Sequence, residues 1–259
     1  LEEQRQVLDL LHSPRFVDCA PIAVWATLLD EGLYYCSPRT MYRLLKAADE
    51  VRERRNQLTH PNYSKPELLA QEPNEVWTWD ITELRGPVKY LRYYLYVILD
   101  LFSRYVVGWM VAEVQSHDLA QQLIHQAVER EDIVPGQLTL HSDRGASMLA
   151  KPLGFMLADL GILKSHSRPH CSNDNPFVES HFRTLKYRPE FPDRFGSISD
   201  ARGFCRGFFD WYHHRHRHSG LGWMTSHSVH HGQAREIEQR RQEVLDAAYG
   251  KIPQRFVRK

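Results

Sequence analysis

Apolar residues recur at helical spacing through the first fifty residues of the chain. The segments that show this pattern are LEEQRQVLDLL, PIAVWATLLDEGL and SPRTMYRLLKAADE. In the third segment, Ser37 is a favoured residue just before a helix and Pro38 a favoured first helical residue. Met41, Leu44 and Leu45 then fall three and four residues apart, which is the spacing of one buried stripe. The pattern therefore predicts three short helices.

The periodicity changes after this helical region. Residues 56–74 contain three prolines and no apolar period, which predicts a linker. Three runs rich in Val, Ile, Tyr and Trp follow, separated by short turns: VWTWDITEL, YLRYYLYVILDLF and YVVGWMVAEV. Such runs are typical of strands in an antiparallel meander.

Helical and strand patterns alternate in the rest of the chain. Helices are predicted over 117–130, 151–161, 176–186, 199–214 and 233–249, and strands over 137–143 and 162–167. This order predicts a mixed α/β fold. We expect a helical domain at 1–55, a linker at 56–74, an α/β core at 75–220 and a basic helical C-terminal extension at 221–259.

Composition places the chain among soluble globular proteins. Apolar residues make up 42% and charged residues 25% of its 259 residues. The sequence has no apolar run of membrane-spanning length, and its N-terminus is too acidic for a secretory signal. Its four cysteines are scattered without a C-x-x-C pair, which predicts free thiols rather than a zinc finger.

Charge is distributed unevenly along the chain. Residues 73–179 carry 9 Lys and Arg against 13 Asp and Glu, whereas residues 180–259 carry 15 against 8 and eight of the fifteen histidines. Acidic groups beside a basic segment suit a metal site next to a polyanion surface. A terminus with an uneven charge is also common among cytosolic proteins, and that reading stays open.

The third predicted helix has a basic face. Arg39, Arg43 and Lys46 fall at positions i, i+4 and i+7, away from the apolar stripe. Two short helices joined by a Gly-containing turn, the second of them basic, resemble a helix-turn-helix that contacts DNA. The alternative is an ordinary solvated helix face.

Three carboxylates could meet in the predicted α/β core. Asp80 lies in mid-strand, Asp143 ends the strand QLTLHSD, and Glu179 lies in the first turn of the helix PFVESHFRTLK. Together they would form an oxygen-only site, which suits Mg²⁺. Two such ions roughly 4 Å apart can catalyse phosphoryl transfer. Separately, Asp143 is explained by a turn and Glu179 by the helix dipole.

The motifs around these acids resemble a known family. Asp80 in WTWDIT, Asp143 in HSDRG and Glu179 in NDNPFVES resemble the DDE core of retroviral integrases. A closer resemblance is to transposases of the insertion sequence three family, specifically their second-reading-frame product. It rests also on YLYVILDLFSRYVVGW, SRPHCSNDNPFVESHFRTLK and WYHHRHRHSGLG. The resemblance covers roughly residues 73–222 and implies a ribonuclease H-like fold, a mixed five-stranded sheet flanked by helices.

The resemblance also implies an activity and its partners. In such proteins the three acids hold two Mg²⁺ ions, which Mn²⁺ can replace, for nicking at a transposon end and attack by the freed 3′-OH. The expected partners are double-stranded DNA (element ends and target), further copies of the chain and a first-reading-frame protein. The expected location is the bacterial cytoplasm, near the nucleoid. The alternatives are a ribonuclease H-type hydrolase and a catalytically silent, truncated or domesticated DNA-binding copy.

Further basic residues are candidate DNA contacts. Arg183 and Lys186 follow Glu179 at i+4 and i+7, so they can grip phosphates beside the acids or form only a surface ion pair. The run YHHRHRHSGLG predicts a DNA-facing helix end that includes Arg215, because adjacent histidines on a helix cannot all face one metal ion. His213 departs from the family pattern, which has Asn there. Asp100 is expected to be a structural turn residue.

Overall fold

The chain folds into two compact units. A computed structural model describes residues 2–50, 69–142, 151–166 and 176–256. One unit, the helical unit, combines the described residues of 1–64 with those of 217–259, and the other, the core unit, contains those of 65–216. In these ranges, no helix is both long enough and apolar enough to span a membrane.

The observed elements follow the predicted pattern through most of the chain. In chain order they are α1 (Glu2–Leu11), α2 (Pro21–Asp30), α3 (Pro38–Ala47), β1 (Val76–Arg85), β2 (Arg92–Asp100), β3 (Val106–Ala112), α4 (His117–Arg130), β4 (Thr139–Ser142), α5 (Lys151–Asp159), β5 (Leu163–His166), α6 (Pro176–Lys186), α7 (Ile198–His214), β6 (Arg217–His218), β7 (Met224–Thr225), α8 (Ser226–His230) and α9 (Ala234–Lys251). The pattern did not predict β6, β7 or α8, because elements of two to five residues carry no periodic signal. Most of the predicted linker lies outside the described residues.

The core unit is built on a mixed five-stranded sheet with the order β3-β2-β1-β4-β5. The antiparallel meander β1-β2-β3 is confirmed, while β4 pairs parallel to β1 and β5 parallel to β4. β1 is therefore the central strand. Its register places Trp79 beside Ser142, the last residue of β4.

Helices cover both faces of this sheet. On one face, Trp77 and Trp79 pack in a core with residues of α4 and α5. On the other face, Leu84 and Leu95 pack with residues of α6 and α7. Burial on both sides explains why β2 reads as a continuous apolar run instead of an alternating one.

Asp100 is a structural turn residue, as predicted. Its side chain is fully buried and accepts hydrogen bonds from the backbone N–H of Asn74 (2.8 Å) and of Ser103 (2.7 Å). The Ser103 hydroxyl donates to it as well, at 2.5 Å. A buried carboxylate is tolerated when it is hydrogen-bonded in this way. Asp100 thus fixes the turn between β2 and β3.

The helical unit joins the two ends of the chain. α1, α2 and α3 share a small core that includes Val24, Leu28 and fully buried Met41. The Ser37 hydroxyl caps α3 by accepting from the Thr40 N–H at 3.3 Å, as predicted. α9 packs against α2, so the C-terminal residues belong to the same compact unit as the N-terminal helices.

An ion-pair cluster ties these segments together. Asp30, the last residue of α2, accepts from Arg217 of β6 and from Arg241 of α9, each at 2.5 Å. Arg241 also donates to the carbonyl oxygens of Gly222 (2.7 Å) and Trp223 (3.1 Å). The cluster links α2 to α9 and to the turn before β7.

Candidate active site

Asp80 lies in the middle of the central strand. Side chains alternate along β1, so Asp80 shares a face with Thr78, Thr82 and Leu84. The carboxylate is half-buried, and its Oδ1 accepts from the N–H of Ile81 at 2.7 Å. It therefore lies on the face of the sheet that α6 and α7 cover.

α6 packs on this face, and Glu179 lies at the flank of its buried stripe. Val178, Phe182 and Leu185 are buried against the sheet, at the spacing of one helical stripe. Glu179 falls outside that stripe and is exposed. The helix was predicted with these bounds, and Glu179 lies in its first turn.

Two contacts fix the direction of α6 relative to β1. At the C-terminal end of the helix, Lys186 Nζ donates to Thr82 Oγ1 at 2.6 Å. At its N-terminal end, the Arg104 guanidinium lies 3.6 Å from the centre of the Phe177 ring. Arg104 belongs to the turn that follows β2. Because β2 runs antiparallel to β1, this turn lies next to the start of β1. The helix thus runs beside β1 in the same direction as the strand.

This direction determines the level at which Glu179 stands. A helix rises about 1.5 Å per residue, so Glu179 lies about 3 Å beyond Phe177 and about 10 Å before Lys186 along the axis. Because Lys186 contacts Thr82, that position falls alongside the part of β1 that contains Asp80. The fold therefore places the first and third predicted acids on one face at similar heights.

The charges on this face influence each other. Burial raises the pKa of Glu179, and the positive charge of Arg183 opposes that rise. Burial lowers the pKa of Lys186, while the carboxylates of Glu83 and Asp80 act in the opposite direction. The Lys186 ammonium is thus close enough to interact electrostatically with the Asp80 carboxylate.

Asp143, the second predicted acid, lies outside the described residues. It directly follows Ser142, which ends β4 beside Trp79 of β1. Within the part of the chain that the structure describes, no three His, Cys, Asp or Glu side chains form a group able to hold a metal ion. The donor chemistry of Asp80 and Glu179, two carboxylates with no thiolate or imidazole, suits Mg²⁺.

The other predicted DNA contacts lie on exposed surfaces. Arg183 and Lys186 are exposed on α6, and Arg215 is exposed at the C-terminal end of α7. Arg39, Arg43 and Lys46 are exposed on α3, in the helical unit. These positions remain predictions for DNA contact.

Two residues of the basic run have roles that the sequence pattern did not reveal. Arg217 is bound to Asp30 and is largely buried. His213 Nε2 accepts from the backbone N–H of Val106 at 3.2 Å, and its ring stacks on Tyr105 at 4.1 Å. The histidine that departs from the family pattern therefore holds the start of β3 against α7.

The order β3-β2-β1-β4-β5, with an acid on the central strand and another on a helix that covers it, defines a ribonuclease H-like α/β protein. Two family models, both described as integrase core domain, match residues 70–172 and 160–225. Together they span more than half of the chain. The chain belongs to the integrase core family.

Its curated relatives are transposases of bacterial insertion sequences. The transposase for insertion sequence element IS904 of Lactococcus lactis subsp. lactis (strain IL1403) is 31% identical over 169 residues, 65% of this chain and 66% of that transposase. Transposase InsF for insertion sequence IS3A of Escherichia coli (strain K12) is 30% identical over 165 residues, 63% of this chain and 56% of InsF. The chain thus matches less than two thirds of the length of either relative.

Solved structures of viral integrases align with parts of this chain. A chain of the simian T-cell lymphotropic virus intasome in complex with PP2A regulatory subunit B56 gamma aligns with a TM-score of 0.51 at 19% identity, covering 84% of this chain and 73% of that one. The HTLV-2 integrase catalytic core domain in complex with magnesium (trimeric form) aligns with a TM-score of 0.45 at 17% identity, covering 63% of this chain and all of that one. The first alignment agrees with the predicted ribonuclease H-like fold.

Proposed function

We propose that the chain catalyses metal-dependent DNA strand cleavage and strand transfer, as a transposase. One observation carries the proposal: β4 runs parallel to β1, with Ser142 beside Trp79. Asp80 is the next residue of β1, and Asp143 follows Ser142 in the sequence. Consecutive Cα atoms are 3.8 Å apart, so Asp143 is tethered within one residue of this pair. Glu179 on α6 stands at the same part of β1.

The three carboxylates are the proposed ligands of two Mg²⁺ ions, which Mn²⁺ can replace. When bound, the metal supplies charge stabilisation for an in-line displacement at phosphorus. Asp80 on a central strand and Glu179 on a packed helix are held by rigid elements, which keeps the ligands in place. No covalent link between protein and DNA is needed.

Arg183 and Lys186 are proposed to hold the DNA beside the acids. Both lie on the exposed side of α6, and Glu179 stands on the same side one and two turns earlier. The bond from Lys186 to Thr82 directs the ammonium toward the strand that bears Asp80. A fixed cation at this position can bind a phosphate oxygen next to the scissile bond.

Lys186→Ala is expected to weaken binding to duplex DNA several-fold and to reduce its salt dependence. Loss of one phosphate contact lowers the slope of log K against log salt by about one. Binding to a labelled duplex, measured at several salt concentrations, tests this. Arg130→Ala removes an exposed cation from the end of α4, on the opposite face of the sheet. Equal slopes for the two variants would contradict the phosphate role of Lys186.

The remaining partners follow from the family relationship. Transposition requires two DNA ends to be brought together, so we propose that copies of this chain assemble on DNA. A first-reading-frame protein is proposed as a further partner. Additional DNA contacts are proposed at Arg215, directly after α7, and at Arg39, Arg43 and Lys46 of α3. Among the described residues, the site itself uses elements of the core unit.

Nicking of supercoiled plasmid tests the proposed function directly. We expect nicked product with Mg²⁺ or Mn²⁺ and none with EDTA. Asp143→Asn, which keeps the size of the side chain and removes its charge, is expected to abolish the nicking and to retain DNA binding. Equal metal-dependent nicking by both proteins would contradict the assignment of Asp143 to the site. No nicking by the wild type with either metal, with DNA binding intact, would contradict cleavage by this chain.

A further inference from the structure

The helical unit contains a groove of about 790 Å³. α1 forms one side, α3 the other, and residues 34–37 part of the lining. Four cationic side chains line it: Arg39, Arg43 and Lys46 from α3, and Arg255 from the C-terminal segment. Residues more than two hundred positions apart in the sequence therefore line one surface.

Aromatic contacts anchor the C-terminal segment at this groove. The Phe256 ring stacks on Tyr34 with centroids 5.3 Å apart, and meets the Tyr249 ring edge-on at 5.5 Å. Next to it, Arg255 forms an ion pair with Glu3 of α1 through one terminal nitrogen. A guanidinium has five N–H donors, so this pairing leaves others available to a second anion.

Among the described residues that line the groove, Glu3 is the one carboxylate against four cationic side chains, which leaves the groove with excess positive charge. Glu3 pairs with Arg255 inside the groove, whereas Glu31, Glu50 and Asp30 do not line it and pair with Arg15, with His12, and with Arg217 and Arg241. Among the described residues, Arg39, Arg43 and Lys46 have no ion-pair partner. A polyanion that enters the groove would meet these three cations without displacing a carboxylate.

Cys36 marks the point where the two cationic sides come together. Its thiol is half-buried and lines the groove. Burial raises its pKa, and the positive charges of Arg255 and Arg43 act against that rise. Both guanidinium groups therefore lie within electrostatic reach of one sulfur atom. Tyr35 and Tyr42, also in the lining, are partly exposed and offer hydroxyl donors.

We propose that Arg255, held in place by the Phe256 ring, completes a phosphate-binding surface for duplex DNA whose other side is the basic face of α3. Cationic side chains and hydroxyl donors are the groups that hold a DNA backbone in position. The proposal rests on the proposed function for the identity of the polyanion. It uses none of the carboxylates of the core unit.

Binding of the full-length chain to a labelled duplex of arbitrary sequence, over a range of salt, tests the surface. We expect Arg43→Ala and Arg255→Ala each to weaken binding several-fold and to lower the salt slope by about one. Phe256→Ala should reproduce the loss seen with Arg255→Ala, and Phe256→Tyr, which keeps a stacking ring, should restore binding. Arg235→Ala is the control, since Arg235 is exposed on α9 and does not line the groove.

The outcome that overturns the proposal is an Arg255→Ala variant that binds DNA with the affinity and salt slope of Arg235→Ala. Thermal unfolding of each variant separates lost contacts from lost folding. If Phe256→Ala unfolds at a lower temperature than the wild type, the comparison of Arg255→Ala with Arg235→Ala still tests the proposed surface. Both of these variants replace partly exposed surface arginines.

Alkylation of Cys36 gives a second, independent readout. Saturating duplex should slow the reaction of Cys36 with N-ethylmaleimide several-fold and leave exposed Cys19 unaffected, as peptide mass spectrometry can show. Equal rates at Cys36 with and without DNA would contradict a bound backbone in the groove. Neither test requires cleavage. If the protein nicks DNA but both binding tests fail, the proposed surface is wrong and the proposed function stands. If both binding tests succeed and no nicking is seen, the surface stands and the proposed function is wrong.

Discussion

Asp80→Asn is expected to lower the rate of Mg²⁺-dependent plasmid nicking by on the order of 10³-fold and to leave duplex binding almost unchanged. A metal ion at a displaced phosphate contributes several kcal/mol to transition-state stabilisation, and each 1.36 kcal/mol is worth a factor of ten in rate. Asparagine has nearly the same shape as aspartate and keeps one oxygen, but its neutral amide is a poor ligand for Mg²⁺. The loss should therefore appear in catalysis and not in folding.

The same strand offers a matched control. Glu83 is exposed and forms an ion pair with Arg92 of β2, so Glu83→Gln removes a negative charge from β1 without removing a proposed metal ligand. We expect Glu83→Gln to nick at close to the wild-type rate and Glu179→Gln to resemble Asp80→Asn. The measurement is the initial rate of nicked product at saturating Mg²⁺. An Asp80→Asn variant as active as Glu83→Gln would show that Asp80 is not a metal ligand.

The sequence predicted the core unit well because its signals are local and strong. The strand runs, the alternation of helix and strand, and the position of Glu179 in the first turn of α6 all agree with the structure. The alternation of β1 also placed Asp80 on the same face as Thr78 and Thr82. Periodicity sets which face a residue occupies, and that was enough to bring the acids into one hypothesis.

The pairing of the two ends of the chain could not be predicted in this way. Asp30 and Arg241 are 211 residues apart, and neither belongs to a motif. An ion pair between distant segments leaves no period in the sequence, so each residue alone resembles an ordinary surface charge. For the same reason Arg217 looked like its exposed neighbour Arg215, although it is bound to Asp30.

The contact from Lys186 to Thr82 was also beyond the sequence pattern. Helical spacing showed that Lys186 lies on the same side of α6 as Glu179, but not which strand the helix covers or in which direction it runs. These depend on how Val178 and Leu185 pack against the sheet, which is a property of the folded core. The structure therefore adds the direction of α6, and with it the height of Glu179 beside β1.

Arg241→Ala is expected to destabilise the helical unit by about 3 kcal/mol, the lower part of the range for removing one partner of a buried ion pair. Arg241 is 8% exposed, and its loss would leave Asp30 with Arg217 alone. The carbonyl oxygens of Gly222 and Trp223 would lose a donor at the same time. The retained Arg217 is the reason to expect the smaller value.

Hydrogen exchange of the backbone amides of α2 and α9 measures this effect locally, which matters because a chain with two units need not unfold in one step. Exchange in both helices should accelerate together, whereas amides of β1 and β2 should keep their protection. Arg240→Ala changes the neighbouring, exposed arginine and should have little effect. If the double variant Asp30→Asn, Arg241→Ala is more stable than Arg241→Ala alone, the cost lies in the partly buried Asp30 carboxylate that has lost Arg241. Equal protection in α9 for Arg240→Ala and Arg241→Ala would show that the ion pair does not hold the two ends of the chain together.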